Sequence, residues 1–108
     1  MASKSSVSDA QSLNHLCQLF RLLSDKTRLQ IVMLLAGGER NVTSLCEELK
    51  LPQPTVSHHL GLLRMNRVIV NKRQGKQVIY ALDAGGGKAS NGRLKFQTPP
   101  YGVTVEGY

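Results

Sequence analysis

The cationic side chains of this 108-residue chain are concentrated in one segment. Residues 51–82 contain five Lys or Arg and no Asp or Glu, whereas residues 1–50 contain six basic and five acidic side chains and residues 83–108 contain three and two. The segment therefore holds +5 of the formal net charge of +7. A cluster of cations without carboxylates favours a polyanionic partner, although a solvated basic surface has the same composition.

Small polar side chains precede these cations. From Val56 to Leu63, residues that suit a buried stripe recur at the spacing i, i+3, i+4 and i+7, which predicts a helix with Pro54 in its first turn and His59 on the buried side. The other side of that helix would carry Thr55, Ser57, His58 and Gly61, with Gln53 at the cap. Short polar groups on one side of a helix permit close approach to a ligand and can donate and accept hydrogen bonds.

The thiols and imidazoles are the other groups that could do chemistry. Cys17 and Cys46 are predicted on apolar stripes, where a free cysteine acts as a small hydrophobe, and a redox switch using one or both is the alternative. Two such thiols do not make the disulfide framework of a secreted protein, and they indicate a reducing cytoplasm. His58 and His59 are adjacent and point about 100° apart on a helix, so they cannot hold one ion together. No metal site and no cofactor are predicted for this chain.

Hydrophobic periodicity predicts four helices, of which the one just described is the last. The first is apolar on so much of its circumference that it needs cover on two sides, and a second copy of the chain is the expected cover. Its candidate dimerisation residues are Leu13, Leu16 and Phe20. Ser24 or Asp25 would cap the second helix, Gly37 and Gly38 would end it, and Asn41 would cap a short third helix.

Two runs of β-forming residues, 68–70 and 77–80, follow the fourth helix. The basic loop Lys72–Lys76 joins them and contains a glycine, which predicts a hairpin. Two helices joined by a short turn and followed by such a hairpin form a winged helix-turn-helix. The predicted fold class is thus mainly α (α+β), with four helices and a two-stranded β-wing.

In a winged helix-turn-helix the second helix of the pair enters the major groove of DNA, and basic side chains of the wing reach phosphates or the minor groove. The predicted DNA-binding residues are Gln53, Thr55, Ser57, His58, Arg64, Lys72, Arg73 and Lys76. For Arg64 a phosphate contact and an ion pair with Glu47 or Glu48 on the preceding helix are equally compatible with the sequence.

The chain is expected to divide into three parts. Residues 1–9 are polar and predicted to be a flexible arm, residues 10–83 form the winged-helix domain, and residues 84–108 are a glycine-rich tail whose structure the sequence does not predict. No apolar run is long enough to span a bilayer, and the polar N-terminus lacks the apolar core of a secretory signal. The expected location is therefore the cytoplasm.

The domain resembles the ArsR family of dimeric bacterial winged-helix repressors over roughly residues 10–82. The resemblance rests on the sequences LSDKTRL at 23–29, QPTVSHHL at 53–60 and KRQGKQVIY at 72–80. It implies a homodimer that binds an inverted-repeat operator in double-stranded DNA through the fourth helix and the wing. It also implies that a small inducer relieves repression.

The usual metal sites of that family are not expected in this chain. Many members bind soft metals through Cys-Val-Cys at the start of the third helix, where this chain has Asn41–Val42–Thr43. Others bind zinc through Asp and His on a fifth helix, where this chain has the glycine-rich tail. The inducer is therefore unknown, and a thiol-based signal is one hypothesis.

Two other classes of function fit less of the sequence. A protein-interaction module would use the same helix surface, but the absence of acidic residues from 51 to 82 favours nucleic acid. An enzyme is not predicted, because the sequence has no carboxylate pair, no nucleophile–base spacing and no phosphate-binding glycine loop.

Overall fold

The computed structural model describes residues 2–83, 88–90 and 93–107, and for residues 2–9 and 88–90 it describes the backbone alone. Met1, and residues 84–87, 91–92 and 108 of the predicted tail, lie outside the described residues. The helices are α1 (Ala2–Leu23), α2 (Lys26–Ala36), α3 (Val42–Leu49) and α4 (Gln53–Met65). The strands are β1 (Arg40–Asn41), β2 (Ile69–Gln74), β3 (Gln77–Leu82), β4 (Lys88–Ser90), β5 (Arg93–Thr98) and β6 (Tyr101–Glu106). The predicted helices and the β2–β3 wing are confirmed.

Side-chain caps set the starts of α2 and α3. The Asp25 carboxylate accepts a hydrogen bond from the Arg28 backbone N–H at 3.0 Å. The Asn41 side chain accepts one from the Ser44 backbone N–H at 2.7 Å. Each contact pairs a backbone donor that the first turn of a helix leaves without an intrahelical partner.

The start of α4 differs from the prediction, and the helix ends shortly before a left-handed residue. Pro52 is the cap residue, so Gln53 is the first residue of the helix and no side chain caps it. After the helix, Asn66 has φ of −92°, and the left-handed backbone occurs at Arg67, with φ of 59°. The Asn66 side-chain amide donates to the Leu62 carbonyl oxygen at 2.8 Å, which pairs an acceptor in the last turn of α4.

The core of the winged domain lies between α2, α3, α4 and the wing. Its fully buried residues include Ile31, Val32, Leu45, Val56, Leu60, Leu63 and Ile69. Full burial of each side chain of this size contributes about 1.5–3 kcal/mol. This burial fixes the rotation of α4 about its axis, and with it the side chains that α4 presents to solvent.

The orientation of α1 corrects one expectation. The helix buries Leu19 and Leu22, whereas Leu13, Cys17 and Phe20 are exposed. Apolar residues on both flanks of this helix made either orientation compatible with the sequence. Cys17 is therefore exposed in the single chain, on the side of α1 that a second copy was predicted to cover, while Cys46 is half-buried and packs against the core.

The N-terminal end of α1 also differs from the expectation. The helix begins at Ala2, so residues 2–9, which were expected to form a flexible arm, are helical. Residues 1–36 contain no Pro and no Gly, so the sequence has no strong helix breaker ahead of the apolar part of α1. No helix among the described residues is long and apolar enough to cross a membrane.

The strands form two antiparallel sheets. The first has the order β1-β3-β2, in which Arg40 pairs with Tyr80 on β3 and Lys72 on β2 pairs with Ile79. Gly75, with φ of 62°, provides the left-handed residue of the tight turn between β2 and β3. The short strand β1 was not predicted, and it places the residues before α3 beside the wing.

The second sheet lies in the predicted tail and has the order β4-β5-β6. Buried and exposed residues alternate along β5, as expected for a strand with one face on the core. Leu94 and Phe96 are only 2% and 1% exposed, and they belong to the same buried cluster as Leu19 and Leu22 on α1. The described part of the tail thus packs on the winged domain, whose boundary at residue 83 stays a prediction.

Candidate nucleic-acid interface

The outer surface of α4 is narrow and polar. Val56, Leu60 and Leu63 are buried, and this burial leaves Thr55, Ser57 and His58 exposed, as predicted. Within the described part of the chain these three side chains make no hydrogen bond, so their donors and acceptors are available to a ligand. A Cβ added at Gly61 would meet no atom within 4 Å, so open space continues along the helix. A surface without bulky side chains suits insertion into the major groove.

The start of α4 adds an electrostatic preference for anions. Lys50 ends α3 in the left-handed conformation, and the Leu51 backbone N–H donates to the Cys46 carbonyl oxygen at 3.2 Å, so the chain reverses within a few residues. The first turn of α4 has no acidic residue and no side-chain cap. Pro54 has no backbone N–H, and the Val56 N–H donates to the Pro52 carbonyl oxygen at 3.2 Å. The Gln53 and Thr55 N–H groups and the positive end of the helix dipole are therefore the features of this turn that favour a phosphate.

The wing carries exposed cations next to this helix in the chain. Lys72, Arg73 and Lys76 are all exposed, as predicted. Lys72 Nζ lies 3.2 Å from Glu39 Oε2, and both side chains are about half exposed. Arg73 and Lys76 form no ion pair among the described residues. Sequence reasoning missed the Glu39 contact, because Glu39 is distant in sequence and reaches the wing only through the pairing of β1 with β3.

The partner of Arg64 was left open by the sequence. Arg40 Nε donates to Glu48 Oε2 at 2.8 Å, so this carboxylate is already paired. In the part of the chain that the structure describes, Arg64 forms no ion pair with either Glu47 or Glu48, and its side chain is exposed. The geometry therefore leaves Arg64 available for a phosphate.

Arg28 connects α4 to the rest of the domain. Its Nε donates to the Leu22 carbonyl oxygen at 2.8 Å, and its Nη1 lies 3.4 Å from His59 Nδ1. A guanidinium can only donate, so His59 Nδ1 is the acceptor in this hydrogen bond. The backbone N–H of Arg28 also donates to the Asp25 carboxylate, and this hydrogen bond lowers the pKa of Asp25. His59 is thus a half-buried, hydrogen-bonded structural residue.

Comparison with known proteins identifies the family. Residues 25–69 match the model of bacterial regulatory proteins of the arsR family. The arsenical resistance operon repressor of Escherichia coli K12 is 48% identical over 66 residues, which are 60% of this chain and 56% of that protein. The transcriptional repressor SdpR of Bacillus subtilis is 35% identical over 65 residues, which are 60% of this chain and 72% of that protein. The chain belongs to the ArsR family.

A solved structure of an ArsR-like domain supports the same assignment. A homodimeric winged helix-turn-helix DNA-binding domain from Mycobacterium bovis, described as a possible ArsR-family transcriptional regulator, superposes with a TM-score of 0.66. It has 28% identity and covers 70% of each chain. The match spans about half the length of some curated ArsR relatives. The family members matched are regulatory proteins, in agreement with the expectation that this chain is not an enzyme.

Asn41, which stands where many ArsR relatives were expected to have a cysteine ligand, has a structural role in this chain. Asn41 caps α3, and its Nδ2 donates to Gln77 Oε1 on the wing at 3.3 Å. No group of three or more His, Cys, Asp or Glu that could hold a metal ion occurs among the described residues. Cys17 and Cys46 are both free thiols.

Proposed function

We propose that this ArsR-family chain is a homodimeric transcriptional repressor that binds an inverted-repeat operator in double-stranded DNA. The observation that carries the proposal is the outer surface of α4, where Thr55, Ser57 and His58 are exposed and their side chains make no hydrogen bond within the described part of the chain. These side chains have the size and the donor and acceptor groups for reading base edges. Gln53 lies at the start of the same helix, where phosphates bind best.

The phosphate contacts come from cations at the end of α4 and on the wing that follows it. Arg64, Arg73 and Lys76 are exposed and form no ion pair among the described residues, and Lys72 joins them when a phosphate displaces Glu39. Three or four cations per protomer neutralise about six to eight phosphates in a dimer, which corresponds to a slope of log affinity against log salt of about −5 to −7. Five free cations per protomer, the number in residues 51–82, would give about −9.

The homodimer uses the exposed side of α1. Leu13 is 49% and Phe20 is 53% exposed, seven positions apart and thus on one side of the helix, with Leu16 half-buried beside them. Apolar side chains of this size on one side of a helix are typical of an interface. A second copy of α1 covers them and sets the distance between the two α4 helices. The similar domain from Mycobacterium bovis is homodimeric.

A mobility-shift titration tests the DNA-binding part of this proposal. The probe is the promoter DNA beside the chain's own gene, with shuffled DNA of equal length and composition as the control. Tighter binding to the promoter and a salt slope of about −5 to −7 are expected. A slope near zero, or equal affinity for the two DNAs, would overturn the proposed function and favour a protein partner for α4.

The inducer hypothesis rests on the two thiols. Cys17 is exposed on α1, three positions from Phe20 in the proposed dimer surface, so its oxidation would change that surface. Both thiols are free, as expected for a protein that acts in a reducing cytoplasm. Operator affinity is measured with and without hydrogen peroxide for the wild type and for the double variant that carries both Cys17→Ser and Cys46→Ser. Loss of affinity in the wild type alone is expected, and equal responses would exclude a thiol signal.

A further inference from the structure

A cleft of about 490 Å³ lies between α1, the turn that follows α4, and the end of β5. This volume is typical of small-molecule sites in proteins. The buried side chains of its lining are apolar and the exposed ones are mostly polar, so it combines an apolar interior with a polar rim. The lining residues used below are Leu22, Arg67, Asp83, Phe96 and Thr98.

Arg67 occupies this rim in a conformation that costs backbone energy. Its φ of 59° lies in the left-handed region, which glycine adopts without strain and a long side chain rarely does. Among the described residues its guanidinium forms no ion pair and no hydrogen bond. An arginine at a position that favours glycine, without an internal partner, indicates that the cation serves a contact outside the chain.

A second polar group of the lining lacks a partner. The hydroxyl oxygen of Thr98 is buried and makes no hydrogen bond with any described residue. Buried hydroxyl groups in folded proteins nearly always have a partner. Rotation about χ1 exchanges the positions of the hydroxyl and the methyl group, so a molecule in the cleft could provide that partner.

We propose that this cleft binds a small amphiphilic monocarboxylate. The carboxylate pairs with the Arg67 guanidinium, which matches its two oxygens, and the apolar body packs on Leu22 and Phe96. Asp83 lines the same cleft and has interactions of its own. Its carboxylate disfavours a second negative charge on the ligand, which selects a monoanion over a dianion.

The position of the cleft makes its occupant an effector of DNA binding. Leu22 belongs to α1, which carries the proposed dimer surface, and Arg67 follows α4, which carries the proposed DNA surface. A molecule bound between α1 and α4 changes the angle between these two helices. It thereby changes the distance between the two DNA-binding surfaces of the dimer. This regulatory role rests on the function proposed above, whereas the binding site itself does not.

Binding is tested first without DNA, by fluorescence anisotropy of naphthoate. The chain has no Trp, so naphthoate emission can be separated from that of the protein. Saturable binding is expected at naphthoate concentrations up to about 1 mM. The neutral isostere naphthamide is expected to bind about tenfold more weakly, because it lacks the charge that pairs with Arg67. Equal binding of the two compounds, or no binding of either, would overturn the proposal.

Two variants identify the site. Arg67→Gly is expected to weaken naphthoate binding about tenfold while the midpoint of thermal unfolding stays equal or rises, because glycine relieves the left-handed strain. Lys95→Gln removes the same charge from an exposed position on β5 and is expected to leave binding unchanged. Equal effects of the two substitutions would show a general charge effect and overturn the site.

The regulatory role is tested by repeating the operator titration with saturating naphthoate. A change in operator affinity of about threefold or more is expected in the wild type and not in Arg67→Gly. An unchanged affinity in the wild type overturns the effector role. If the chain does not bind the operator at all, the proposed function fails, and the anisotropy result still decides whether the cleft is a binding site.

Discussion

Lys72 Nζ on the wing lies 3.2 Å from Glu39 Oε2, just before β1. One of the wing cations is therefore paired with a carboxylate of the same chain, while Arg73 and Lys76 have no such partner among the described residues. Both members of the pair are about half exposed, so the interaction is weak and a DNA phosphate can replace the carboxylate. Glu39 thus limits the positive charge that the wing presents.

Glu39→Gln should strengthen DNA binding. The substitution releases Lys72 and removes a carboxylate that repels phosphate, so the salt slope should steepen by about one unit per protomer. The measurement is a salt series of mobility-shift titrations. Glu47→Gln, an equal charge change at an exposed position on α3, is the control and should leave the slope nearer to the wild-type value. Equal slopes for the two variants would contradict a specific role of the Glu39–Lys72 pair.

Ser57→Ala should reduce operator preference without reducing general DNA affinity. Removal of one hydroxyl contact in the groove is expected to cost about 0.5–1.5 kcal/mol on the operator and nearly nothing on shuffled DNA. The comparison uses mobility-shift titrations with both DNAs. Thr104→Ala, which removes an exposed hydroxyl on β6, should bind both DNAs like the wild type. A parallel loss on both DNAs would show that Ser57 does not read bases.

Phe20→Glu should separate the dimer without unfolding the chain. The ring is 53% exposed, so a carboxylate at this position costs little in the monomer but repels its copy in the proposed interface. Sedimentation velocity should show an increase of the dimer dissociation constant of about tenfold or more. Gln11→Glu lies nine positions away on the opposite side of α1 and should remain dimeric. If the wild type is a monomer, or if Phe20→Glu dimerises as strongly as the wild type, this side of α1 is not the dimer interface.

Asp25→Asn should weaken the acid dependence of stability. The Arg28 backbone N–H that donates to the Asp25 carboxylate lowers the pKa of this carboxyl in the folded chain. A carboxyl with a lower pKa in the folded than in the unfolded state contributes stability above its unfolded pKa, and this contribution is lost as the pH falls through the folded pKa.

The measurement for Asp25→Asn is the free energy of unfolding by urea between neutral pH and about pH 3. The loss on acidification should be smaller in the variant than in the wild type. Glu47→Gln removes an exposed carboxyl that caps no helix and should retain the wild-type loss. An identical acid dependence of Asp25→Asn and the wild type would show that the cap does not couple protonation to folding.

Thr98→Val should stabilise the free protein. The change keeps the shape of the side chain and removes a buried hydroxyl that has no partner among the described residues, which is expected to raise the free energy of unfolding by about 1 kcal/mol. Urea unfolding measures this effect. Thr104→Val, at an exposed position of the same sheet, should be nearly neutral. A destabilised Thr98→Val would mean that the hydroxyl has a partner in the folded protein.

The sequence predicts α4 and the wing well because the signals for both are local. The spacing from Val56 to Leu63 fixes the buried side of α4, and the two runs of β-forming residues on either side of the loop with Gly75 predict the hairpin. The caps at Asp25 and Asn41 follow from single residues next to apolar runs. Each of these features depends on residues within one or two helical turns.

The features that sequence reasoning missed depend on contacts between distant segments. The orientation of α1, and with it the exposure of Cys17, depends on the cover that the second sheet gives to Leu19 and Leu22. That sheet follows a glycine-rich stretch, and the alternation along β5 spans only three buried or half-buried positions. The Glu39–Lys72 pair requires β1, which is too short to show a periodicity.

The burial of Leu94 and Phe96 against α1 has a practical consequence. A version of the chain cut after Leu82 would keep every side chain of the DNA-facing surface but would leave Leu19 and Leu22 open to water. Such a fragment would have an additional exposed apolar surface on α1, next to the proposed dimer surface. It would therefore tend to aggregate. Weak DNA binding by this fragment would then result from the loss of β4–β6 and not from a defect in operator recognition.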